Sequence, residues 1–349
     1  MAIVGTIYSG TESKWGYVKE ATFGTPIGID QVFYVPEGPI PSVDYGVTRD
    51  GLTPKFNGAR IPSDSNIYYS QTGGVRVISF SDMIVRRLDL CHLMYAVAQA
   101  NFDAEAAATP YTKVFKFLPT ITQGDFTAAY NAATNRRMFY SIGIWDPIAS
   151  YMRLFTSCIL RSLTLSADLL GGDGRLRAAG EWVSGFAATT TANFSGAWAY
   201  NAQNYYNFNA MSTKQVGAAD IVLYGFSVTL ANGATRIGGN TTGYAESFAL
   251  PAYSVTGTLT VKYDTAVQAI IADSLAGTGR AIQLAVGTAA AAGHFDMTFN
   301  DCFFGDIEKV YGDPEGQKIT IPFTAVSDAA PTPDTLGTIT ISDDADQTW

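Results

Sequence analysis

The chain has 349 residues, of which 47% are apolar and only 15% are charged, and its formal net charge at pH 7 is -9. This length accommodates two domains of ordinary size, each with its own apolar core. The acidic balance, together with the lack of any run of Lys and Arg along the sequence, excludes the basic footprint of a protein that grips nucleic acid. The low charge favours a surface partly covered by further copies of the chain, because obligate subunit interfaces are depleted in Lys, Glu and Asp.

Residues 1–5 lack the basic and apolar regions of a secretory signal. No stretch of the chain reaches the roughly 18 apolar residues that a transmembrane helix requires. We therefore expect a chain that is made in the cytoplasm and is not inserted into a membrane.

Short stretches of alternating apolar and polar residues dominate the sequence and predict β-strands. The clearest of these stretches are residues 75–80, 138–144, 221–230, 256–263 and 318–324. Glycine-rich segments at 171–174 and 312–316 predict hairpin turns. The sequence therefore predicts a mainly β protein built from antiparallel sheets.

Two segments instead have apolar residues at the three- and four-residue spacing of a helix. The first is residues 82–100, with Asp82 as the expected N-cap and Asp89 outside the apolar stripe. The second is residues 264–276, with Asp264 as the expected N-cap and Gly277 as the terminator. In both segments a predicted strand leads directly into the capping aspartate.

The two halves of the chain repeat one order of elements: strand, capped helix, strand, hairpin. Adding 144 to the residue number relates seven pairs: Arg136 and Arg280, Met138 and Ile282, Tyr140 and Leu284, Ile142 and Val286, Gly143 and Gly287, Phe155 and Phe299, and Cys158 and Cys302. The capping aspartates are 182 residues apart, so the first copy has an insert of roughly residues 101–135. We therefore predict two tandem domains, 1–190 and 191–349, each with one helix.

Three further segments stand out from the repeat. Residues 34–64 contain five prolines and predict a long, stiff loop. The insert at 101–135 is a second candidate loop. Residues 186–217, between the copies, are rich in aromatic residues and predict an ordered connector or interface arm rather than a solvated linker.

The residue clusters that enzymes and metal sites require are not recognisable in the sequence, so we expect no catalytic, cofactor-binding or metal-binding residues. The two histidines, His92 and His294, lie outside any metal-ligand spacing, which favours a packing or surface role. The three cysteines, an odd number with wide spacing, predict small buried side chains: Cys91, Cys158 and Cys302. The acidic run at 343–346 lacks the ligand spacing of a calcium loop and predicts a frayed terminus.

One motif resembles a known family. The segment Lys19-Glu-Ala-Thr-Phe-Gly-Thr25 resembles the E-x-T-F-G-T opening of tail tube proteins of long-tailed bacteriophages, and the two strand–helix–strand units resemble the tail tube domain. The resemblance implies two tandem β-sandwich or partly closed barrel domains, each with one flanking helix, plus long loops. Sheets of six such domains join edge to edge around a channel, so two domains per chain imply trimeric rings with pseudo-sixfold symmetry.

The resemblance also implies a place in the virion tail after assembly in the host cytoplasm, and no cofactor. The implied partners are copies of the chain itself, together with tape measure, tail terminator and tail-tip proteins, with DNA passing through the tube only transiently. Residues 34–64 and 101–135 are candidates for contacts between stacked rings. Residues 168–174 and 306–316 are candidates for acidic lumen hairpins, which would repel DNA phosphates.

Three alternatives remain open from the sequence. A capsid or decoration protein would share the composition and the self-assembly. A β-sandwich carbohydrate-active enzyme would need a pair of carboxylates that sequence spacing alone does not reveal. A secreted adhesin is disfavoured by the missing signal.

Overall fold

A computed structural model describes residues 13–20, 32–44, 48–49, 69–70, 76–99, 109–117, 138–146, 151–186, 189–192, 197–200, 204–237, 247–309, 318–327 and 335–343. In this part of the chain the protein is mainly β, with two α-helices. The predicted fold class is therefore confirmed. All five of the clearest predicted strands are present, with ends that differ from the predicted ends by a few residues.

The strands before the first helix are β1 (Lys14–Lys19), β2 (Phe33–Val35), β3 (Ser42–Asp44), β4 (Thr48–Arg49), β5 (Tyr69–Ser70) and β6 (Arg76–Ile84). Helix α1 (Arg87–Ala98) is followed by β7 (Tyr111–Phe117), β8 (Tyr140–Asp146), β9 (Tyr151–Asp168), β10 (Arg177–Ser184), β11 (Thr189–Ala192) and β12 (Trp198–Tyr200). After a 3-10 helix (Phe208–Ala210) come β13 (Met211–Val216), β14 (Ala219–Asp220), β15 (Leu223–Ala231), β16 (Thr235–Ile237), β17 (Ser247–Ala249) and β18 (Ser254–Lys262). Helix α2 (Thr265–Ala276) precedes β19 (Arg280–Val286), β20 (His294–Phe304), β21 (Glu308–Lys309), β22 (Lys318–Val326) and β23 (Gly337–Asp343).

The long strand β9 pairs with different strands along its two halves. Its first half pairs with β8, which in turn pairs with β1. Its second half pairs with β10, and the order continues through β6 to β3. We call β3, β6, α1, β8, β9 and β10 the first set.

The second half of the chain repeats this arrangement. Strand β20 pairs with β19 from Phe295 to Cys302, and β19 pairs with β13. The end of β20, and then β21, pair with β22, which is followed by β18 and β15. We call β15, β18, α2, β19, β20, β21 and β22 the second set.

The hairpins of the two sets share one register. Ile142 lies opposite Phe155 in the first hairpin, and Ile282 lies opposite Phe299 in the second. Each hairpin has a register shift directly beside this pair. The predicted equivalence of Phe155 with Phe299 therefore agrees with the strand pairing.

The predicted matches in the preceding strand, from Met138 with Ile282 to Gly143 with Gly287, are wrong. The register makes Ile142 equivalent to Ile282, an offset of 140 rather than 144. Thirteen residues separate Ile142 from Phe155, whereas seventeen separate Ile282 from Phe299. The second hairpin is therefore four residues longer, which a single fixed offset does not accommodate. Arg136 lies outside the described residues.

Helix α2 has the predicted ends. The side chain of Asp264 accepts a hydrogen bond from the backbone N–H of Val267 at 3.1 Å, as an N-cap does. Gly277 ends the helix in the left-handed conformation, with φ of 67°. Only Val267 and Ile270 of this helix are buried.

Helix α1 begins four residues later than predicted, and its N-cap is not Asp82. Asp82 lies inside β6 with φ of 52° and forms an ion pair with Arg177 at 2.6 Å. The strand continues to Ile84 because it pairs with β10 up to that residue. The N-cap is Arg86, whose side chain makes no capping hydrogen bond. Both helices have 12 residues. They begin at Arg87 and Thr265, so their offset is 178 rather than 182.

Helix α1 is buried on all sides from Asp89 to Ala98, so the expectation that Asp89 lies outside the buried stripe is wrong. The helix packs against β9 and β7. Strand β7 lies in the predicted insert, and it pairs with β23, next to β20 of the second set. One continuous apolar core contains residues of both sets.

The other predicted loops also contain strands in their described parts. Residues 34–64 include β3 and β4, and the connector 186–217 includes β11, β12 and β13. Sheets continue across the predicted boundary at 190/191 through the pairing of β9 with β15. The division into two domains stays a prediction. Neither helix in the described residues has the length and apolar character needed to cross a bilayer.

Candidate assembly surface

One antiparallel sheet runs through both sets in the order β21-β22-β18-β15-β9-β10-β6-β3. We call it the long sheet. The second set contributes β21, β22, β18 and β15. The first set contributes β9, β10, β6 and β3. The two halves have the same strand order, so they are joined head to tail.

The two faces of the long sheet differ because side chains alternate along each strand. Residues such as Leu259, Val261 and Val228 point to the core. The opposite face carries hydroxyl-bearing residues, including Ser227 and Thr258. It forms an open groove of about 840 Å³ across the strands of both sets. The groove is lined by serine and threonine hydroxyls together with apolar and aromatic side chains such as Leu170, Tyr224 and Phe226, and it has few charges.

The charged residues of the groove lie together at one rim. They are Asp168, Arg177 and Lys318. Asp168 ends β9 and accepts hydrogen bonds from the backbone N–H groups of Leu170 and Gly171, which lower the pKa of its carboxyl. The predicted hairpin 168–174 thus lies at the rim of the long sheet. Of the counterpart 306–316, residues 306–309 are described, and Asp306 is exposed.

The junction between the sets is a continuous β-pairing of β9 with β15. Leu165 lies opposite Val228, and Thr164 lies opposite Thr229. The hydroxyl groups of Thr164 and Thr229 are hydrogen-bonded at 2.8 Å. Seven residues of each strand take part in the pairing, so the junction is an ordinary stretch of sheet.

The β16–β17 hairpin, which follows β15 of the second set, extends this junction over the first set. We call the described residues 232–237 and 247–253 the internal arm. Its apolar residues form a buried cluster with residues of the first set: Ala234, Phe248 and Leu250 with Phe139, Ile159 and Val183. Burial of these side chains contributes roughly 1.5–3 kcal/mol for each large one.

The internal arm also satisfies the carbonyl groups at the end of α1. The Asn232 side chain donates to the Val97 and Leu160 carbonyl oxygens, both at 3.0 Å. The Tyr253 hydroxyl donates to the Ala98 carbonyl oxygen. The last carbonyl groups of a helix have no partner within the helix, so these contacts are the C-terminal cap of α1.

The long sheet has two outer strands, β3 and β21. In the described residues β3 pairs only with β6, and β21 pairs only with β22. An unpaired strand edge promotes association because its backbone groups accept and donate hydrogen bonds to another strand. These two edges are the candidate assembly sites.

Glu20 belongs to the motif that carries the family resemblance. It is buried at the point where the partner of β9 changes from β8 to β10. Its carboxylate accepts hydrogen bonds from the Ser141 hydroxyl at 2.5 Å, the Ser157 N–H at 2.6 Å and the Ser157 hydroxyl at 2.7 Å. Ser157 has φ of 53°, a conformation that favours glycine, and these bonds hold it. Burial raises the pKa of Glu20 to about 7, although the serine hydrogen bonds lower it. Only the motif position singled out Glu20 in the sequence.

A second buried polar cluster surrounds His92 in the core of the first set. The Tyr17 hydroxyl donates to Asp89 at 2.6 Å, and His92 lies edge-on to Tyr17 and 3.4 Å from the Tyr140 hydroxyl. Burial lowers the pKa of His92 to about 3 and raises that of Asp89 to about 6. These residues do not line the groove of the long sheet.

The other residues singled out in the sequence are also buried. His294 lies 3.2 Å from the Val286 carbonyl oxygen. Cys91, Cys158 and Cys302 are buried free thiols, as predicted. The prediction of a frayed acidic terminus is wrong for Asp343, which is buried at the end of β23 because that strand pairs with both β20 and β7. Residues 344–346 lie outside the described part of the chain.

Among the described residues, no three His, Cys, Asp or Glu side chains are grouped so that they can hold a metal ion. No protein-family model matches the chain, and no curated protein sequence matches it significantly.

Proposed function

We propose that the chain is a non-catalytic structural protein of a bacteriophage virion that assembles into stacked rings, forming the tail tube through which DNA is ejected. The observation that carries the proposal is the long sheet, which joins two repeated four-strand halves head to tail. Its two outer strands, β3 and β21, each have one partner strand among the described residues. A head-to-tail contact generates a ring when its rotation closes. The tail tube motif at Lys19–Thr25 supports the same reading.

The proposed ring contains three copies and six repeated halves. Three copies with eight strands each contribute 24 strands to a closed sheet. At roughly 4.8 Å between strands, such a ring is on the order of 37 Å across, and strand tilt widens it further. A closed sheet of this size leaves a channel rather than a packed interior.

The exposed face of the long sheet suits the lining of that channel. Its serine and threonine hydroxyls offer no cationic array for phosphates, and the chain as a whole carries a net charge of -9. Binding of DNA depends on Lys and Arg displacing counterions from the phosphates. DNA therefore passes without being held.

The enzyme alternative has less support. Glycoside hydrolysis uses two carboxylates that flank the scissile bond. The groove of the long sheet has one carboxylate among its lining residues, Asp168, and it lies beside Arg177 and Lys318.

Electron microscopy of the purified full chain tests the proposal. We expect rings or stacked tubes with an open central channel at high protein concentration. Closed shells would support the alternative of a capsid protein, and monodisperse monomers at every concentration would contradict assembly altogether.

A further inference from the structure

We propose that β3 and the β4–β5 hairpin of one copy bind β21, Phe303 and the end of α2 on the next copy, repeating between chains the junction that joins the two sets within the chain. The inference rests on the proposed function, since it names the contact that closes the ring. Four relationships in the strand pairing and the exposed surface carry it.

The first relationship concerns β21. Its residues Glu308 and Lys309 pair with Thr320 and Ile319 of β22. In the first set, Thr164 and Leu165 of β9 pair in the same way with β10. These positions are related by the offset of 144 that relates Phe155 to Phe299. On its other side, this part of β9 pairs with β15. The corresponding side of β21 is the outer edge of the long sheet.

The second relationship concerns β3. Val43 pairs with Ile78 of β6, and Val228 pairs with Gly257 of β18. Ile78 pairs with Trp182 of β10, and Gly257 pairs with Phe323 of β22. Trp182 and Phe323 are equivalent residues of the two sets, so Ile78 and Gly257 are equivalent too. Strand β3 is therefore the counterpart of β15, the strand that forms the internal junction.

The third relationship concerns the hairpin that follows each of these strands. In the internal arm, Thr235 and Arg236 of β16 pair with β17. After β3, Thr48 and Arg49 of β4 pair in the same register with β5. The Thr-Arg sequence and the pairing are thus repeated, and an aromatic residue lies opposite the arginine in both hairpins: Phe248 in β17 and Tyr69 in β5.

The fourth relationship concerns what the internal arm covers. It buries Ile159, whose counterpart at offset 144 is Phe303, and Phe303 is 40% exposed. It also covers the end of α1 at Val97, whose counterpart at offset 178 is Leu275, and Leu275 is 86% exposed. The second set therefore exposes large apolar side chains at positions where the first set is covered by an arm.

The occupant of this surface is a second copy, because the chain carries the matching arm. In the internal junction, the strand β15 and its following hairpin contact the first set. The corresponding strand and hairpin, β3 with β4 and β5, come from the opposite end of the long sheet. The two complementary edges, β3 and β21, lie at opposite ends of the long sheet of one chain. Each edge therefore pairs with the other edge of a neighbouring copy. The repeated register places Val43 opposite Lys309 and Asp44 opposite Glu308 of the next copy.

A disulfide trap tests this register. Val43→Cys combined with Lys309→Cys introduces two thiols that oppose each other across the proposed contact, within the reach of a disulfide. The native cysteines are buried, so they do not compete in the folded protein. After mild oxidation we expect covalent oligomers that run up to the trimer. Val43→Cys with Glu308→Cys is the control, because neighbouring residues of a strand point to opposite faces of the sheet.

Phe303→Asp tests the apolar part of the surface. We expect the fraction of protein in rings to fall about tenfold or more, because the contact would bury an unpaired carboxylate, while the unfolding midpoint of the monomer stays the same. Val222→Asp is the matched control: it places a carboxylate at another apolar residue that is 42% exposed but lies outside the proposed surface, and ring formation should persist.

The outcomes separate this inference from the proposed function. Rings that form normally with Phe303→Asp, and without cross-links in the Val43→Cys, Lys309→Cys protein, would overturn the proposed contact and leave the tube proposal standing. A wild-type chain that never forms rings would overturn the tube proposal. Cross-linked oligomers that stay open would support the edge pairing and contradict ring closure.

Discussion

Cys158 in β9 and Cys302 in β20 occupy equivalent positions in the two sets. Each thiol-bearing residue lies where a long strand passes from one partner to the next: Cys158 pairs with both Tyr140 and Ser184, and Cys302 pairs with both Arg280 and Ala325. The two residues are 144 positions apart in the sequence. This equivalence shows which residues of the second set correspond to which residues of the first set. It therefore also shows which residues at the outer edges correspond to those of the internal junction.

The burial of the cysteines gives a simple prediction of reactivity. Burial raises the pKa of the Cys158 thiol well above its ordinary value and that of Cys302 to about 12, so neither forms the reactive thiolate in the folded protein. We expect a thiol reagent at pH 8 to label no cysteine in native protein and all three after unfolding in guanidinium. Labelling of Cys158 at the rate of an exposed thiol would contradict the described packing.

The raised pKa of Glu20 predicts that the free energy of unfolding falls as the pH rises. Its pKa is raised from 4.5 to about 7 in the folded chain, so its stabilising contribution is complete below pH 4.5 and is lost as the pH passes 7. A shift of this size corresponds to about 3 kcal/mol of unfolding free energy. Urea unfolding at pH 5 and pH 8, at one fixed protein concentration, measures the loss.

Glu20→Gln is the variant that assigns this pH dependence. Glutamine has the same shape but does not ionise, so the difference between the unfolding free energies at pH 5 and pH 8 should shrink by about 2.5 kcal/mol. Part of the dependence should remain, because Asp89 also has a raised pKa, of about 6, and acts in the same direction. An unchanged pH dependence in Glu20→Gln would show that the carboxyl is not buried as described.

The two aspartates before the helices predict different mutational effects. Asp264→Ala removes the N-cap of α2 and should cost about 1 kcal/mol of unfolding free energy. Asp82→Asn should cost less than about 0.5 kcal/mol, since Asp82 makes an exposed ion pair and asparagine tolerates positive φ. Paired urea unfolding curves measure both changes. A larger loss from Asp82→Asn than from Asp264→Ala would contradict the described start of α1.

The contact between copies has one unfavourable pair that can be repaired. The internal junction places Thr164 opposite Thr229, whereas the proposed contact places Asp44 opposite Glu308. Like charges directly opposite each other destabilise a pair of strands by roughly 0.2–1 kcal/mol. The double variant Asp44→Thr, Glu308→Thr should therefore form rings at a lower protein concentration than the wild type, as measured by sedimentation velocity. A higher concentration requirement would count against the proposed register.

Much of the fold is predictable from local patterns. The alternating strands such as 318–324 and the capped helix after Asp264 have sequence signals that lie within a few residues of each other. The start of α1 was missed because strand pairing with β10 extends β6 beyond Asp82, and that pairing partner lies about 95 residues away in the sequence. The burial of Asp89 is not predictable for the same kind of reason, since its hydrogen-bond partner Tyr17 lies 72 residues away in the sequence.

The sequence predicts that copies of the chain associate, but it does not predict which residues form the assembly surface. The composition and the repeat predicted association of copies, but they did not identify the edges. Phe303 and Leu275 are ordinary apolar residues in the sequence. They become informative when the strand register identifies their covered counterparts, Ile159 and Val97. The offset of 178 that relates Leu275 to Val97 follows from the true start of α1, which the sequence repeat does not reveal.

The most direct test of the central claim is a cryo-electron microscopy reconstruction of the assembled wild-type protein. Our account predicts a threefold ring in which the long sheet is continuous through all copies, with β3 of each chain beside β21 of the next. A reconstruction in which β3 and β21 both face solvent, or in which β3 pairs with β3 about a twofold axis, would contradict it.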